Sequence, residues 1–247
     1  MRTLVTSFTA LTALAALTVA GLAGSVGCNL ATTRESQTIT RTVELDHAES
    51  VDVELKMGAG ELHVEGGAPK LLDASFRFNV PSWEPVVDYQ GGGSRGRLRI
   101  EQGDGAGSFG NTENTWSLKL NDDVPIDLVA HLGAGQATMA IGALDLRRLE
   151  IHQGVGELQL DLRGTPEHSY EVNVNGGVGS AHIRLPHSVG IVANATGGIG
   201  SIDVSGLSQR GDTWYNPNHE NDPVSIRVNV KGGVGEIKIS ADDTEGR

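Results

Sequence analysis

An all-β, solenoid-like stack of Gly-x-Gly rungs behind a β-rich N-terminal domain is the fold this sequence predicts. One short phrase recurs six times, its copies align into aliphatic columns, and glycine is abundant while aromatics are scarce. The copies are GAGELHV from Gly58, GAGQATM from Gly133, GVGELQL from Gly154, GVGSAHI from Gly177, GIGSIDV from Gly198 and GVGEIKI from Gly233. Four of the central glycines, Gly135, Gly156, Gly179 and Gly200, stand 21, 23 and 21 residues apart. Gly60 precedes them and Gly235 follows after a longer insert. Self-similarity at such a period marks stacked repeats. Two residues after the central glycine lie Leu62, Ala137, Leu158, Ala181, Ile202 and Ile237; five before it lie Leu55, Ala130, Ile151, Val174, Ala195 and Val230. The intervening Glu61, Gln136, Glu157, Ser180, Ser201 and Glu236 are polar. Side chains alternate across a strand, so one face is core and the other is wet. A single rung buries too few aliphatic side chains to offset the entropy of ordering it, so the rungs must stack. The paired glycines are read as structural turn residues, because glycine tolerates the backbone a sharp bend between close-packed rungs requires.

Taken in order, the chain opens with Arg2, an apolar run from about Leu4 to Ala23 and a small-residue end, so residues 1–27 read as a secretory signal peptide. The run is rich in Ala, Thr and Gly, a weak composition for a permanent membrane span. Cys28 is the only cysteine, so no internal disulfide can form. Ser25-Val26-Gly27-Cys28 resembles a bacterial lipoprotein signal, which implies a lipid on Cys28. Residues 28–36 are polar and read as a tether. Residues 37–124 form a β-rich N-terminal domain with strands at Val51–Leu55, Glu61–Val64, Ser75–Phe78, Val86–Tyr89, Arg97–Glu101 and Trp116–Leu120. Arg95, Arg97 and Arg99 alternate along one strand face and read as a solvated edge. Residues 125–240 carry the close-spaced repeats, and 241–247 are a charged tail. The last strand, Val234 to Ser240, is expected at an open end of the stack.

Composition limits the chemistry. The chain carries 31 Asp+Glu against 19 Lys+Arg, a net charge of -12, which repels phosphate backbones and excludes nucleic acid as a partner. Gly92 to Gly96 matches GxSxG around Ser94, but strands flank it where a nucleophile elbow needs a helix. Gly105, Gly107 and Gly110 match GxGxxG without a βαβ unit. Gly197 to Asp203 lacks the aspartate spacing of calcium-binding nonapeptides, since Ile202 stands where the acid is needed. His131 and His152 share one repeat position and would stand roughly 5 Å apart on neighbouring rungs. Their column continues through Asn175, Thr196 and Lys231, a polar ladder, and a structural zinc needs four ligands. Glu61, Glu157 and Glu236 read as solubilising. No catalytic residue, metal or cofactor is expected.

The repeat phrases, Leu144 to Ile151 and Gly232 to Ile237 resemble the bacterial toast-rack domain, as does Trp214-Tyr215-Asn216-Pro217 before a last strand. Gly58 to Leu62, Phe76 to Phe78, Val80-Pro81, Trp83, Pro85 and Tyr89 resemble the domain that precedes toast racks. The C-terminal part is also similar to LiaF-like envelope-stress proteins and adhesin-like repeats. The resemblance implies a non-enzymatic, envelope-anchored lipoprotein acting as a scaffold, protein-interaction or stress-sensing module. Its partners would be the membrane, through the lipid, and another envelope protein. In LiaF-type proteins the domain follows several transmembrane helices, whereas no second apolar stretch of spanning length follows residues 1–27 in this sequence. The alternative is a glycan-binding or adhesin-like surface protein, for which only Trp83, Trp116, Trp214 and a few tyrosines are available as sugar platforms.

Overall fold

The computed structural model describes residues 35–105, 111–216 and 222–242. The signal segment, Cys28, most of the tether, Gly107, Gly110, Pro217 and residues 243–247 lie outside the described residues. Thirteen strands form one mixed sheet. The N-terminal strands are β1 (Gln37–Val43), β2 (Ser50–Glu65), β3 (Leu72–Phe78), β4 (Val86–Gln90), β5 (Arg95–Glu101) and β6 (Asn114–Leu120). Then come β7 (Ile126–Ala140), β8 (Leu146–Asp161), β9 (Tyr170–Leu185), β10 (Gly190–Ser205), β11 (Ser208–Arg210), β12 (Thr213–Tyr215) and β13 (Ser225–Ala241). A single 3-10 turn at Pro81–Trp83 is the one helical element among the described residues. The all-β expectation holds.

Six long strands, each with one Gly-x-Gly phrase near its middle, are the rungs. They run parallel in the order β2-β7-β8-β9-β13-β10. The register sets glycine on glycine, from Gly60↔Gly135 and Gly135↔Gly156 to Gly179↔Gly235 and Gly200↔Gly235. Strand lengths and links together dictate the shape. β9 and β10 have 16 residues each, about 53 Å if straight. The link from Leu185 to Gly190 has room for only about 18 Å of chain. Each rung therefore doubles back at its Gly-x-Gly corner, and the two halves of the folded sheet face each other across the core. Contacts across the corner agree: a Cβ on Gly232 would stand 3.1 Å from Ile237 Cδ1.

The inward side chains follow from this bend. In β2 the buried residues before the corner are Val51, Val53, Leu55 and Met57, and after it Leu62 and Val64. The parity of the buried face changes across Gly58 to Glu61, which is why the aliphatic columns at five before and two after the glycine are an odd number of residues apart. Ile151 and Leu158, and Val230 and Ile237, repeat the pattern.

The N-terminal strands extend both halves of the folded sheet. β5 pairs with the first arm of β2 and carries β4. β6 pairs with the second arm and is followed by β3 and β1. Trp116 is fully buried with Phe76 edge-on, ring centroids 5.5 Å apart, and its indole N–H donates to Asn114 Oδ1 at 3.0 Å. Sheet pairing runs without a break past residue 124, since β2 and β7 are in register from Val51↔Ile126 to Glu65↔Ala140.

Two expectations need correction. The last strand is not at an open end: β13 lies between β9 and β10, parallel to both. The open end is the second arm of β10, since its first arm is covered by β12. The reason is geometric, because the insert before β13 holds the hairpin β11–β12, which pairs beyond β10 and returns the chain to the gap beside β9. Nor is β5 an edge strand. It sits between β4 and β2, and two of its arginines are matched to acids: Arg95 to Asp52 and Asp127, Arg99 to Glu54 and Glu101.

Candidate functional site

The corners are built by close backbone approach. The second glycine of each phrase has φ between 137° and 143°, a region essentially closed to side chains. A Cβ on Gly156 would stand 1.7 Å from the Gly135 carbonyl oxygen, and one on Gly179 1.8 Å from that of Gly156. The first glycine is constrained by space alone: a Cβ on Gly154 would stand 2.4 Å from the Gly133 carbonyl oxygen. Gly198, Gly200, Gly233 and Gly235 follow the same rule. At the first rung no earlier corner exists, and side chains take its place. Gln102 Oε1 accepts from the N–H groups of Gly58 and Ala59, at 2.9 and 3.2 Å, and Asn114 Nδ2 donates to the Ala59 carbonyl at 2.6 Å.

Between the paired glycines, the middle residue points outward. In register these residues are Ala59, Ala134, Val155, Val178, Val234 and Ile199. The four large ones are 54%, 50%, 45% and 73% exposed. They form an aliphatic ridge along the corner edge, the main surface feature that the sequence reading passed over. Its signal was legible as the x of each Gly-x-Gly. The ridge ends at β10, whose second arm, Gly198 to Ser205, has no partner strand on its outer side among the described residues. The core column is open there: Ile202 is 39% exposed, whereas Leu158 and Ile237 at the same position are buried.

His131 and His152 stand where the repeat spacing predicts, stacked with centroids 5.0 Å apart and planes 6° from parallel. His152 Nε2 lies 2.7 Å from Glu150 Oε1. No group of three or more His, Cys, Asp or Glu side chains suited to a metal occurs among the described residues. Beside this ladder runs a charged one. Arg95 donates to both oxygens of Asp52, at 2.8 and 2.5 Å, and to Asp127 at 2.7 Å. That hydrogen bonding, ahead of the charges of Arg95, Arg97 and Arg148, holds the Asp52 carboxyl below its ordinary range against the opposing effect of burial. A depressed carboxylate stabilises the fold above its unfolded pKa of about 3.9, and the contribution is lost as pH falls through the folded value. Arg95→Ala is expected to raise the Asp52 pKa. An NMR titration of the side-chain carboxyl carbon checks this, and an unmoved midpoint refutes it.

The remaining motifs resolve into structure. Ser94 sits at the turn between antiparallel β4 and β5, and its carbonyl accepts from the N–H groups of Glu49 and Ser50. No helix follows it. A Cβ on Gly105 would meet Ser82 Oγ. Ile202 belongs to the strand column, as its position predicts. Glu61, Glu157 and Glu236 are exposed, with His63 4.0 Å from Glu61 and His182 3.8 Å from Glu236. Trp83 and Trp116 are buried, Tyr89 donates its hydroxyl to the Leu45 carbonyl at 2.7 Å, and Trp214 packs against the core. These rings do not form a sugar platform.

Residues 32–184 match the family described as the N-terminal domain of toast_rack, DUF2154. The chain belongs to this family. Comparison with the curated proteins finds no match. Among solved structures, the chain is similar to a candidate cell adhesion protein from Clostridium sporogenes, with 28% identity and a TM-score of 0.78 over 84% of this chain and 100% of that one. A candidate adhesin from Bacteroides fragilis matches at 12% identity and a TM-score of 0.34, over 84% of this chain and 98% of the other. No helix among the described residues is long and apolar enough to cross a membrane.

Proposed function

We propose that this protein is a non-enzymatic surface module, exported by residues 1–27 and held to the cell envelope by a lipid on Cys28. It works by presenting its folded sheet to another envelope component. The observation that carries this reading is the likeness, over 84% of this chain, to the candidate cell adhesion protein of Clostridium sporogenes. The build of the body supports it. The interior is filled with aliphatic rungs, and the outward ladders are ion pairs and stacked imidazoles, not a converging acid, base and nucleophile. Within this reading, the adhesin-like role has the structural neighbour behind it. The stress-sensing role rests on the similarity of the C-terminal repeats to LiaF-like proteins.

The anchor is tested by Cys28→Ser. The wild-type chain is expected in the membrane fraction and the variant in the soluble exported fraction; retention of the variant in the membrane refutes lipidation. The partner is tested by crosslinking in intact cells followed by recovery of the chain. An envelope protein is expected in the adduct, and its absence under every growth condition removes the docking role.

A further inference from the structure

The aliphatic ridge on the Gly-x-Gly corners has no structural need to be aliphatic. Its side chains point away from the core, and a threonine would serve strand propensity as well as a valine. The neighbouring outward positions are polar: Glu157, Ser180, Glu236 and Ser201 on one flank, His152, Asn175, Lys231 and Thr196 on the other. Yet the ridge reads Ala, Ala, Val, Val, Val, Ile across six adjacent rungs. Five of the six large hydrophobic residues exposed among the described residues are Val155, Val178, Val234, Ile199 and Ile202, on or beside this edge.

The path of the N-terminus says what the ridge faces. Gln37 pairs with Phe78, Phe78 with Asn114, and Asn114 lies against Gly60, whose Cβ would meet the Asn114 carbonyl oxygen. β1 therefore begins at the corner edge, and Ser36 is hydrogen-bonded there to Glu113, the residue before β6. Residues 28–36 reach at most about 30 Å when fully extended. The ridge valines of β8 and β9 lie five and six strand spacings from β1, roughly 24–29 Å along the same edge. A lipid on Cys28 thus pulls the body toward the bilayer by the edge that carries the ridge.

We infer that the ridge of Val155, Val178, Val234 and Ile199 is a membrane-facing surface that rests on the phospholipid bilayer and orients the tethered body corner-down. This rests on the lipid-anchor reading above. Four half-exposed side chains are too few to hold a free protein at a membrane. A short tether raises their effective concentration at the bilayer, so weak contacts suffice to set orientation. The local charge suits zwitterionic headgroups: Lys231 faces phosphate while Glu157 and Glu236 face ammonium. The outward ends of the rungs, including exposed Ala143 in the link between β7 and β8, then point away from the bilayer.

The test places a photoreactive benzophenone amino acid at Val178, at Val234 or at Ala143 in the full chain, irradiates intact cells and reads adducts by mass spectrometry. Lipid adducts several-fold more abundant at Val178 and Val234 than at Ala143 are expected. Adducts only to a second copy or another protein at the ridge, no adduct at either ridge site, or equal lipid labelling at Ala143 would each overturn the inference. Because the ridge side chains point outward, the labelled variants are expected to keep the wild-type melting temperature; two independent sites guard against one misfolding. The same labels in Cys28→Ser separate the two readings. Release of the protein with loss of lipid adducts supports both. Membrane retention with ridge adducts intact refutes the lipid anchor and leaves the ridge standing.

Discussion

Gly156→Val is expected to destabilise the fold by about 3 kcal/mol or more, combining a backbone conformation that costs a non-glycine residue about 1–3 kcal/mol with a forced displacement of the neighbouring rung. The φ of 140° belongs to glycine, and the Gly135 carbonyl oxygen would stand 1.7 Å from the new Cβ. Relief requires moving backbone, because what is struck is a carbonyl and not the far end of a side chain. The register would part at the centre of the stack, where Gly135, Gly156 and Gly179 lie one upon another. Gly93→Ala is the control: a Cβ there meets nothing within 4 Å, and its melting temperature is expected to stay at the wild-type value. Thermal unfolding of both variants checks the pair. Wild-type melting of Gly156→Val together with lost partner binding would turn the corner from a structural device into a contact loop.

Ending the chain at residue 221 is expected to cost more. It removes β13, which pairs from Gly190↔Ser225 to Ser205↔Ser240 with β10 and from Ile226↔Tyr170 to Ala241↔Leu185 with β9. Val228, Val230, Ile237 and Ile239 leave the core with it. A gap one strand wide then separates β9 from β10, and the hairpin β11–β12 is left on a detached strand. Limited proteolysis is expected to cut the truncated chain in or after the link between β9 and β10, with a broad transition of lowered midpoint. An unchanged melting curve would mean that β10 has closed onto β9 in the same register, so that the inserted strand is dispensable. The order of the stack also bears on assembly, since its interior cannot close until the last strand of the chain is available to enter it.

The legible part of the fold was the part governed by local rules. Alternation marked the arms, glycine pairs marked the corners, and equal repeat positions marked the neighbours of one column. His131 and His152 were placed from spacing alone and are stacked at 5.0 Å. The misread parts depended on which strand sits beside which. Val234 to Ser240 carries the same pattern as every other rung, so nothing in its residues says whether it closes the stack or enters its middle. Arg95, Arg97 and Arg99 look the same on an edge strand as on one flanked by β2 and β4. The aliphatic middle residues, Val155, Val178, Val234 and Ile199, carry no signal in a strand's two-residue alternation, and only the stacked corners set them in one exposed line.

By itself, then, the sequence determined that the chain is all-β, that its rungs bend at paired glycines and that the arms carry one aliphatic face each, which is buried wherever the facing arm and its neighbours cover it and open on the second arm of β10. Backbone sterics and the two-residue period of a strand leave no other choice. The tertiary structure alone decided the order β9-β13-β10, the open arm of β10 and the edge from which the N-terminus leaves. These follow from how a folded sheet closes its core around short links, a matter of competing placements for nearly identical rungs that no single segment encodes.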